Sequence, residues 1–210
     1  MSKIINFLIV TAGLCSNVYG LYHIVHDFAM PGYGGHFQFL TIIGLSLATL
    51  ALAARILNLT TGAFNFIYST LSALATPTEG LISLFYWPIH CYDKYLLLPQ
   101  EFEHELPPFL DICIHLLPAC CLLTDMLLFK SFKRSPLHIL AIYVFALAYY
   151  YWVNVCYEEN GYWVYPLLAE MGDTQRGLFF VFCAWVCASI YKTVARCHIW
   201  LHGSKSKKKQ

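Results

Sequence analysis

Residues 37–57 read FQFLTIIGLSLATLALAARIL, and the stretch carries one charged side chain, Arg55, near its end. About 20 mostly apolar residues cross the hydrocarbon core of a bilayer as a helix, so this stretch predicts a transmembrane helix. Five more stretches of the chain have the same character. With charges, Pro and Gly taken as boundaries, the six predicted spans are 4–25, 37–57, 64–89, 108–129, 137–157 and 177–199.

The composition of the whole chain also indicates a membrane protein. Of its 210 residues, 59% are hydrophobic and 12% are charged, whereas soluble domains carry about 25% charged residues. We predict an all-α polytopic bundle, with a single integral membrane domain over 1–203 and a basic tail over 204–210. The formal net charge of +1 excludes a nucleic-acid partner bound through phosphate neutralisation, and membrane lipid is the expected partner.

The third span contains a polar interruption. Its sequence, Thr76-Pro77-Thr78-Glu79-Gly80, combines a helix breaker with a carboxylate. Irregular backbone inside a membrane is tolerated only where protein or water surrounds it. We therefore expect this span to be kinked or split into two half-helices.

Positive charges fall mainly on one side of the predicted bundle. Cytoplasmic loops are enriched in Lys and Arg, and six spans place both termini on the same side. Two cations, Lys94 and Arg176, lie on the opposite side. Nine lie on the side of the termini, namely Lys3, Arg55, Lys130, Lys133, Arg134, Lys205, Lys207, Lys208 and Lys209. Both termini are therefore predicted to be cytoplasmic, and the other surface is acidic.

Two polar side chains lie at comparable depth in different spans. The second and fourth spans both start at the acidic surface. Thr41 is four residues into the second span, or about 6 Å at about 1.5 Å per residue. His115 is seven residues into the fourth, or about 10 Å. Asp111 precedes His115 by four residues and so lies on the same helical face. A Thr41–His115–Asp111 arrangement is therefore geometrically allowed.

This set of side chains is typical of nucleophilic catalysis. A threonine hydroxyl becomes a useful nucleophile when a histidine within hydrogen-bond reach removes its proton during attack on an ester carbonyl. A carboxylate on the other ring nitrogen would hold that histidine in place. Structural alternatives stay open, because membrane threonines commonly bond a carbonyl of their own helix and buried histidines are commonly structural groups.

Several short motifs are distinctive enough to compare with known proteins. They are 33–41 (YGGHFQFLT), Tyr92-Asp93-Lys94, the segment 111–125, and 161–166 (GYWVYP) with Arg176. Together they resemble the androgen-induced gene and androgen-dependent TFPI-regulating protein family, whose members are multi-span threonine hydrolases of fatty acid esters of hydroxy fatty acids. The resemblance implies that Thr41 is the nucleophile, that His115 is the essential histidine and that the substrate is a lipid ester. The role of Asp111 rests on its spacing alone.

Substrates of this class carry a free carboxylate, which a cation near the acidic surface would orient. We predict Arg176 in this role, because a guanidinium binds a carboxylate through two hydrogen bonds and the ammonium of Lys94 does not. Trp163 is predicted to flank the substrate path at the membrane interface. The alternative is that Arg176 pairs with Asp173 or with a lipid phosphate.

The histidines do not predict a metal centre. His23 and His26 are three residues apart, with Asp27 adjacent. Membrane di-iron enzymes need several tight histidine clusters, however, and the other histidines of this chain are scattered. We expect neither a metal nor another cofactor.

The chain is thus predicted to be a carboxylic ester hydrolase. Two alternatives remain: a small-solute transporter with the polar residues along its path, and a non-catalytic scaffold or regulator in which they join helices. Lys207 and Lys208, fourth and third from the end, resemble the dilysine signal of endoplasmic reticulum membrane proteins. We expect that location, the alternative being a basic tail attracted to anionic lipid.

Overall fold

The computed structural model describes residues 3–98, 106–129 and 135–203. These residues form α-helices and short 3₁₀ turns without a strand, so the all-α prediction is confirmed. The helices are α1 (Lys3–Asp27), α2 (Leu40–Thr61), α3 (Asn65–Asp93), α4 (Pro108–His115), α5 (Leu117–Leu128), α6 (Pro136–Asn160) and α7 (Asp173–Gly203). The predicted tail, 204–210, lies outside the described residues.

Five segments of the described chain are long and apolar enough to cross a membrane. They are Lys3–Asp27, Leu40–Thr61, Pro108–Leu128 (α4 with α5), Pro136–Asn160 and Asp173–His202. These segments confirm a polytopic membrane protein and match five of the six predicted spans. The sixth, α3, is 29 residues long and carries the polar interruption. It packs against α2, α5 and α7. The sidedness of the termini stays a prediction.

α3 runs as one helix through its polar interruption, so of the two expected outcomes the division into half-helices is wrong, and the kink stays a prediction. Pro77 removes one backbone N–H. The hydroxyl of the next residue, Thr78, donates a hydrogen bond to the Leu74 carbonyl of the same helix at 2.9 Å. Residues 75–79 are all buried. Because neighbouring helices cover these groups, the helix does not have to open to bring them to water.

The break in the spans falls instead between α4 and α5. Leu116 separates the two helices with backbone dihedrals φ −128° and ψ −53°. Two residues later, Pro118 lacks an N–H, so the carbonyl of Ile114 loses its usual helical donor. The carbonyl of His115 accepts a hydrogen bond from the Ser83 hydroxyl of α3. The fourth span therefore ends one helix at His115 and begins another.

Glycines allow close helix contacts near the middle of the bundle. A Cβ on Gly20 of α1 would lie 2.6 Å from the Ile114 side chain of α4. One on Gly44 of α2 would lie 2.7 Å from the Ile82 side chain of α3. In lipid, such close packing supplies much of the attraction between helices. The two glycines thus set the spacing of α1 against α4 and of α2 against α3.

A buried polar network, here named the clasp, joins α1, α2, α3 and α5 near the N-terminal end of α1. Arg55 Nε donates to Asp125 Oδ1 at 3.0 Å, and both side chains are buried. The Tyr68 hydroxyl donates to the same carboxylate. The Asn6 amide donates to Asp125 at 3.0 Å and accepts from Arg55 at 2.7 Å. Since each charge has polar partners, Asp125 is a structural carboxylate.

Between the clasp and the glycine contacts lies an apolar cluster, here named the plug. It consists of fully buried residues from the same four helices, namely Val10, Ala48, Ala51, Leu52, Ala75 and Leu122. The plug separates the two ends of the bundle. The polar clasp lies at one end, and Thr41, at the start of α2, lies at the other.

Candidate active site

A large cavity lies at the end of the bundle away from the clasp. Its volume is about 1830 Å³ and its wall is mostly apolar. Thr41, Asp111 and His115 all line it, so the structure brings the three predicted catalytic residues to one cavity. Sites for small ligands commonly have volumes of about 300–1,000 Å³. The space here suits a longer, chain-like ligand. Its apolar wall includes Ile42, Leu81, Phe85, Ile142, Phe145 and Phe179.

His115 is held in a fixed orientation. Its Nδ1 lies 2.7 Å from Asp111 Oδ1, and both residues are buried. The ring stacks on Tyr86 of α3 with 3.4 Å between ring centroids and 7° between planes. The Tyr86 side chain also lies beside the Asp111 carboxylate. A carboxylate at Nδ1 favours the tautomer with its proton there, which leaves the Nε2 lone pair for another proton.

The Thr41 hydroxyl is not engaged by its own helix. The carbonyl four residues back, that of Phe37, accepts instead from the Trp152 indole N–H at 2.9 Å. In the same helix, Ser46 and Thr49 each donate to the carbonyl four residues back, at 2.7 Å. Thr41 is half-buried, and its hydroxyl forms no hydrogen bond with any residue that the structure describes. The alternative of a threonine satisfied by its own helix therefore does not apply to Thr41.

Arg176 and Trp163 are brought together, but away from this cavity. Arg176 donates to the carbonyl of Leu168 at 3.0 Å and to that of Met171, and it pairs with Asp173. Its guanidinium lies 4.3 Å from the centroid of the Trp163 ring. Both residues line a separate small surface pocket. These contacts match the alternative of an Arg176–Asp173 pair, and a role in substrate binding stays a prediction for both residues.

No group of three or more His, Cys, Asp and Glu side chains could hold a metal ion within 3–98, 106–129 and 135–203. His23 pairs with Asp27 at 2.5 Å between Nδ1 and Oδ2. His26 bonds the carbonyl of Tyr22 at 2.9 Å.

The segment 28–39, here named the strap, connects α1 to α2 and forms part of the cavity wall. Asn160 at the end of α6 holds its backbone from both sides, accepting from the Tyr33 N–H at 2.6 Å and donating to the Tyr33 carbonyl at 3.2 Å. Tyr162 donates to the Pro31 carbonyl at 3.0 Å. Gly32, with φ +90°, passes so close to Tyr162 that a Cβ would lie 2.4 Å from its hydroxyl oxygen. The strap is thus fixed to α6 and the loop after it.

Comparison with known proteins identifies the family. A family model described as FAR-17a/AIG1-like protein matches residues 5–198. The chain belongs to this family. No solved structure shows a significant match to this FAR-17a/AIG1-like chain.

Curated relatives of this FAR-17a/AIG1-like protein cover most of its length. A UPF0641 membrane protein of Schizosaccharomyces pombe is 29% identical over 204 residues, 94% of this chain and 92% of the relative. The androgen-dependent TFPI-regulating protein of Mesocricetus auratus is 26% identical over 185 residues, 83% and 80% of the two chains. The human androgen-induced gene 1 protein is 27% identical over 168 residues, 70% of each chain.

Sequence reasoning missed several residues of the FAR-17a/AIG1-like cavity. Tyr86 is 29 positions before His115, and no spacing rule indicates that they stack. Lys94 lines the cavity although Arg176 was preferred as the substrate cation. Tyr165 also lines the cavity. The position of Tyr165 after Trp163 in the GYWVYP motif was the one available signal.

Proposed function

We propose that this FAR-17a/AIG1-like protein is an intramembrane hydrolase of lipid esters, with Thr41 as nucleophile, His115 as base and Asp111 as the carboxylate that orients it. One observation carries the proposal: an uncommitted Thr41 hydroxyl and a carboxylate-held histidine line the same apolar cavity. Nucleophilic catalysis on an ester needs a hydroxyl nucleophile and a base of these kinds that come within hydrogen-bond reach of each other.

The chemistry follows from these positions. His115 Nε2 takes the hydroxyl proton as Thr41 Oγ1 bonds the ester carbonyl carbon, and the carbonyl electron pair moves to oxygen. The tetrahedral intermediate collapses, the ester C–O bond breaks, and the proton passes from His115 to the leaving alcohol. Water then attacks the acyl-threonine with the same base, releasing the acid and restoring Thr41.

We infer that the substrates are fatty acid esters of hydroxy fatty acids. The size and apolar wall of the cavity support long acyl chains, and membership of the family supports the substrate class suggested by the motif resemblance. Lys94 lines the cavity and lies in the Tyr92-Asp93-Lys94 motif, so we assign it, rather than Arg176, to the free carboxylate of the substrate.

The test is hydrolysis of a palmitic ester of hydroxystearic acid by purified protein in detergent. Thr41→Ala is expected to abolish turnover at unchanged thermal stability. His115→Ala is expected to abolish turnover in protein that stays folded but is less stable, because it leaves Asp111 without its partner. Thr49→Ala is the matched control, because it removes an α2 hydroxyl that bonds its own helix and is expected to keep full activity.

Equal hydrolysis by all variants would refute the threonine mechanism. If the wild type hydrolyses none of several lipid esters, the transporter and the scaffold or regulator become the leading hypotheses.

We also infer residence in the endoplasmic reticulum membrane. The basis is the lysine pair Lys207 and Lys208 in the C-terminal tail, which requires the predicted cytoplasmic tail to act as a retrieval signal. Replacing both lysines with serine is expected to move a tagged protein to later compartments. An unchanged distribution would remove this inference and leave the hydrolase proposal intact.

A further inference from the structure

The tetrahedral intermediate of ester hydrolysis carries a negative oxygen that needs a hydrogen-bond donor. Such donors act best when the fold fixes them in place before the reaction. The oxyanion forms on the carbon that Thr41 attacks, so its donor must lie close to Thr41.

Thr41 is the second residue of α2, so the N–H groups at this helix start lack intrahelical partners. The Leu40 N–H donates to the Tyr165 hydroxyl oxygen at 2.9 Å, and the Thr41 N–H lies near the same oxygen. The backbone donor just before the nucleophile is thus committed to Tyr165. The hydroxyl proton of Tyr165 is the side-chain donor held at this helix start.

That proton has no close acceptor in the described chain. The nearby Tyr149 hydroxyl lies 3.5 Å away and directs its own proton to the Gln38 carbonyl at 3.0 Å. O–H···O hydrogen bonds are usually about 2.5–3.0 Å long. The Tyr165 oxygen accepts from the Leu40 N–H, so its own proton is directed away from that donor. Tyr165 lines the cavity with Thr41 and His115, so a ligand oxygen can reach it.

The surroundings favour Tyr165 as a donor at neutral pH. Burial raises the pKa of Tyr165 above its ordinary value, so its hydroxyl keeps its proton. The positive end of the α2 helix dipole faces the same oxygen and strengthens the donor. The ring is fixed by an edge contact with Phe39 at 5.9 Å between centroids.

We propose that Tyr165 is the oxyanion donor of the site: its hydroxyl donates a hydrogen bond to the former carbonyl oxygen while Thr41 Oγ1 is bonded to the carbon and His115 holds the transferred proton. This rests on the proposed hydrolase function. Tyr165 keeps its proton throughout, so atoms and charges balance without a further reactant.

Tyr165→Phe tests the proposal. Loss of one oxyanion donor commonly lowers kcat by about 10²- to 10³-fold, and we expect a fall of this size with little change in KM. Tyr191→Phe is the matched control, because it removes a buried hydroxyl that bonds His138 at 2.8 Å outside the cavity, and it is expected to keep wild-type kcat.

A second measurement separates an oxyanion donor from a merely structural hydroxyl. A phosphonate analogue of the ester mimics the tetrahedral intermediate, and an ether analogue mimics the intact substrate. Tyr165→Phe is expected to weaken phosphonate binding by about the same factor as kcat and to leave ether binding unchanged.

Equal weakening of both analogues, or a kcat within threefold of wild type, would overturn the Tyr165 proposal alone. Wild-type turnover in Thr41→Ala would instead refute the hydrolase mechanism, and the Tyr165 proposal with it.

Discussion

At the scale of single residues, the pair formed by Asp111 and His115 is one of two His–Asp pairs at four-residue spacing in the described helices. The other, His23 with Asp27, is partly exposed, with Nδ1 and Oδ2 2.5 Å apart. The Asp111 pair is buried, stacked on Tyr86 and faces the cavity. The same four-residue spacing therefore gives a partly exposed pair in α1 and a buried pair beside the cavity in α4.

Asp111→Asn is expected to lower kcat by about 10²- to 10⁴-fold, because an amide no longer fixes the His115 tautomer or stabilises the imidazolium that forms. Steady-state kinetics on stability-matched protein measures this. Asp27→Asn, which alters the other pair, serves as control and is expected to be neutral. Normal turnover in Asp111→Asn would restrict this carboxylate to a structural role.

Lys94 and Arg176 are expected to differ in what their loss impairs. Lys94→Gln should raise KM several-fold for an ester with a free carboxylate, and not for its methyl ester, because only the former pairs with the ammonium. Arg176→Gln should lower thermal stability instead, since the side chain binds two carbonyls of its own loop. The reverse pattern would return Arg176 to the role predicted from sequence.

At the scale of helices and their junctions, the clasp is a buried polar connection among four helices. Removing one member of a buried ion pair leaves the other charge uncompensated and commonly costs about 3–5 kcal/mol. Arg55→Met is therefore expected to lower the free energy of unfolding by about that amount, measured by denaturant titration in detergent micelles.

The surface arginine of α7 provides the control for this experiment. Arg196 is exposed, and Arg196→Met is expected to change stability by less than about 0.5 kcal/mol. The double variant Arg55→Met/Asp125→Leu should recover part of the loss, because it removes both charges. A loss below about 1 kcal/mol in Arg55→Met would contradict the assignment of the clasp as a stabilising network.

The sequence predicted those features that depend on local spacing. Apolar runs located the membrane-crossing helices, and the interval of four residues correctly predicted contact between Asp111 and His115. Prediction from the sequence failed where packing against neighbouring helices determines the backbone. The packing of α2, α5 and α7 around α3 keeps residues 76–80 helical, whereas Pro118 interrupts the fourth span, which was predicted as one helix.

Contacts distant in sequence explain the other differences. The Tyr165 hydroxyl reaches the N–H of Leu40 across 125 positions, and no periodicity encodes that distance. Arg176 looked available because it is one of two cations on its side, but folding directs it to backbone carbonyls of its own loop.

At the scale of the whole molecule, glycosylation tests the predicted membrane orientation. Asn58-Leu59-Thr60 is a glycosylation sequon on the predicted cytoplasmic side. We expect it to stay unmodified in cells, and a sequon engineered within 99–105 to be glycosylated, because only the lumenal side has access to the transferase. Mobility shifts after glycosidase treatment measure both, and the opposite result would invert the predicted topology.

The plug and the clasp have a consequence for the membrane itself. Along α2, Thr41, Ala48 and Arg55 follow at intervals of two helical turns, so the reactive cavity, the plug and the clasp succeed one another in depth. Each ester cleaved at neutral pH releases a fatty acid and a proton. The plug and the clasp close one end of the bundle, so that acid load would be released to a single compartment if the proposed hydrolysis takes place.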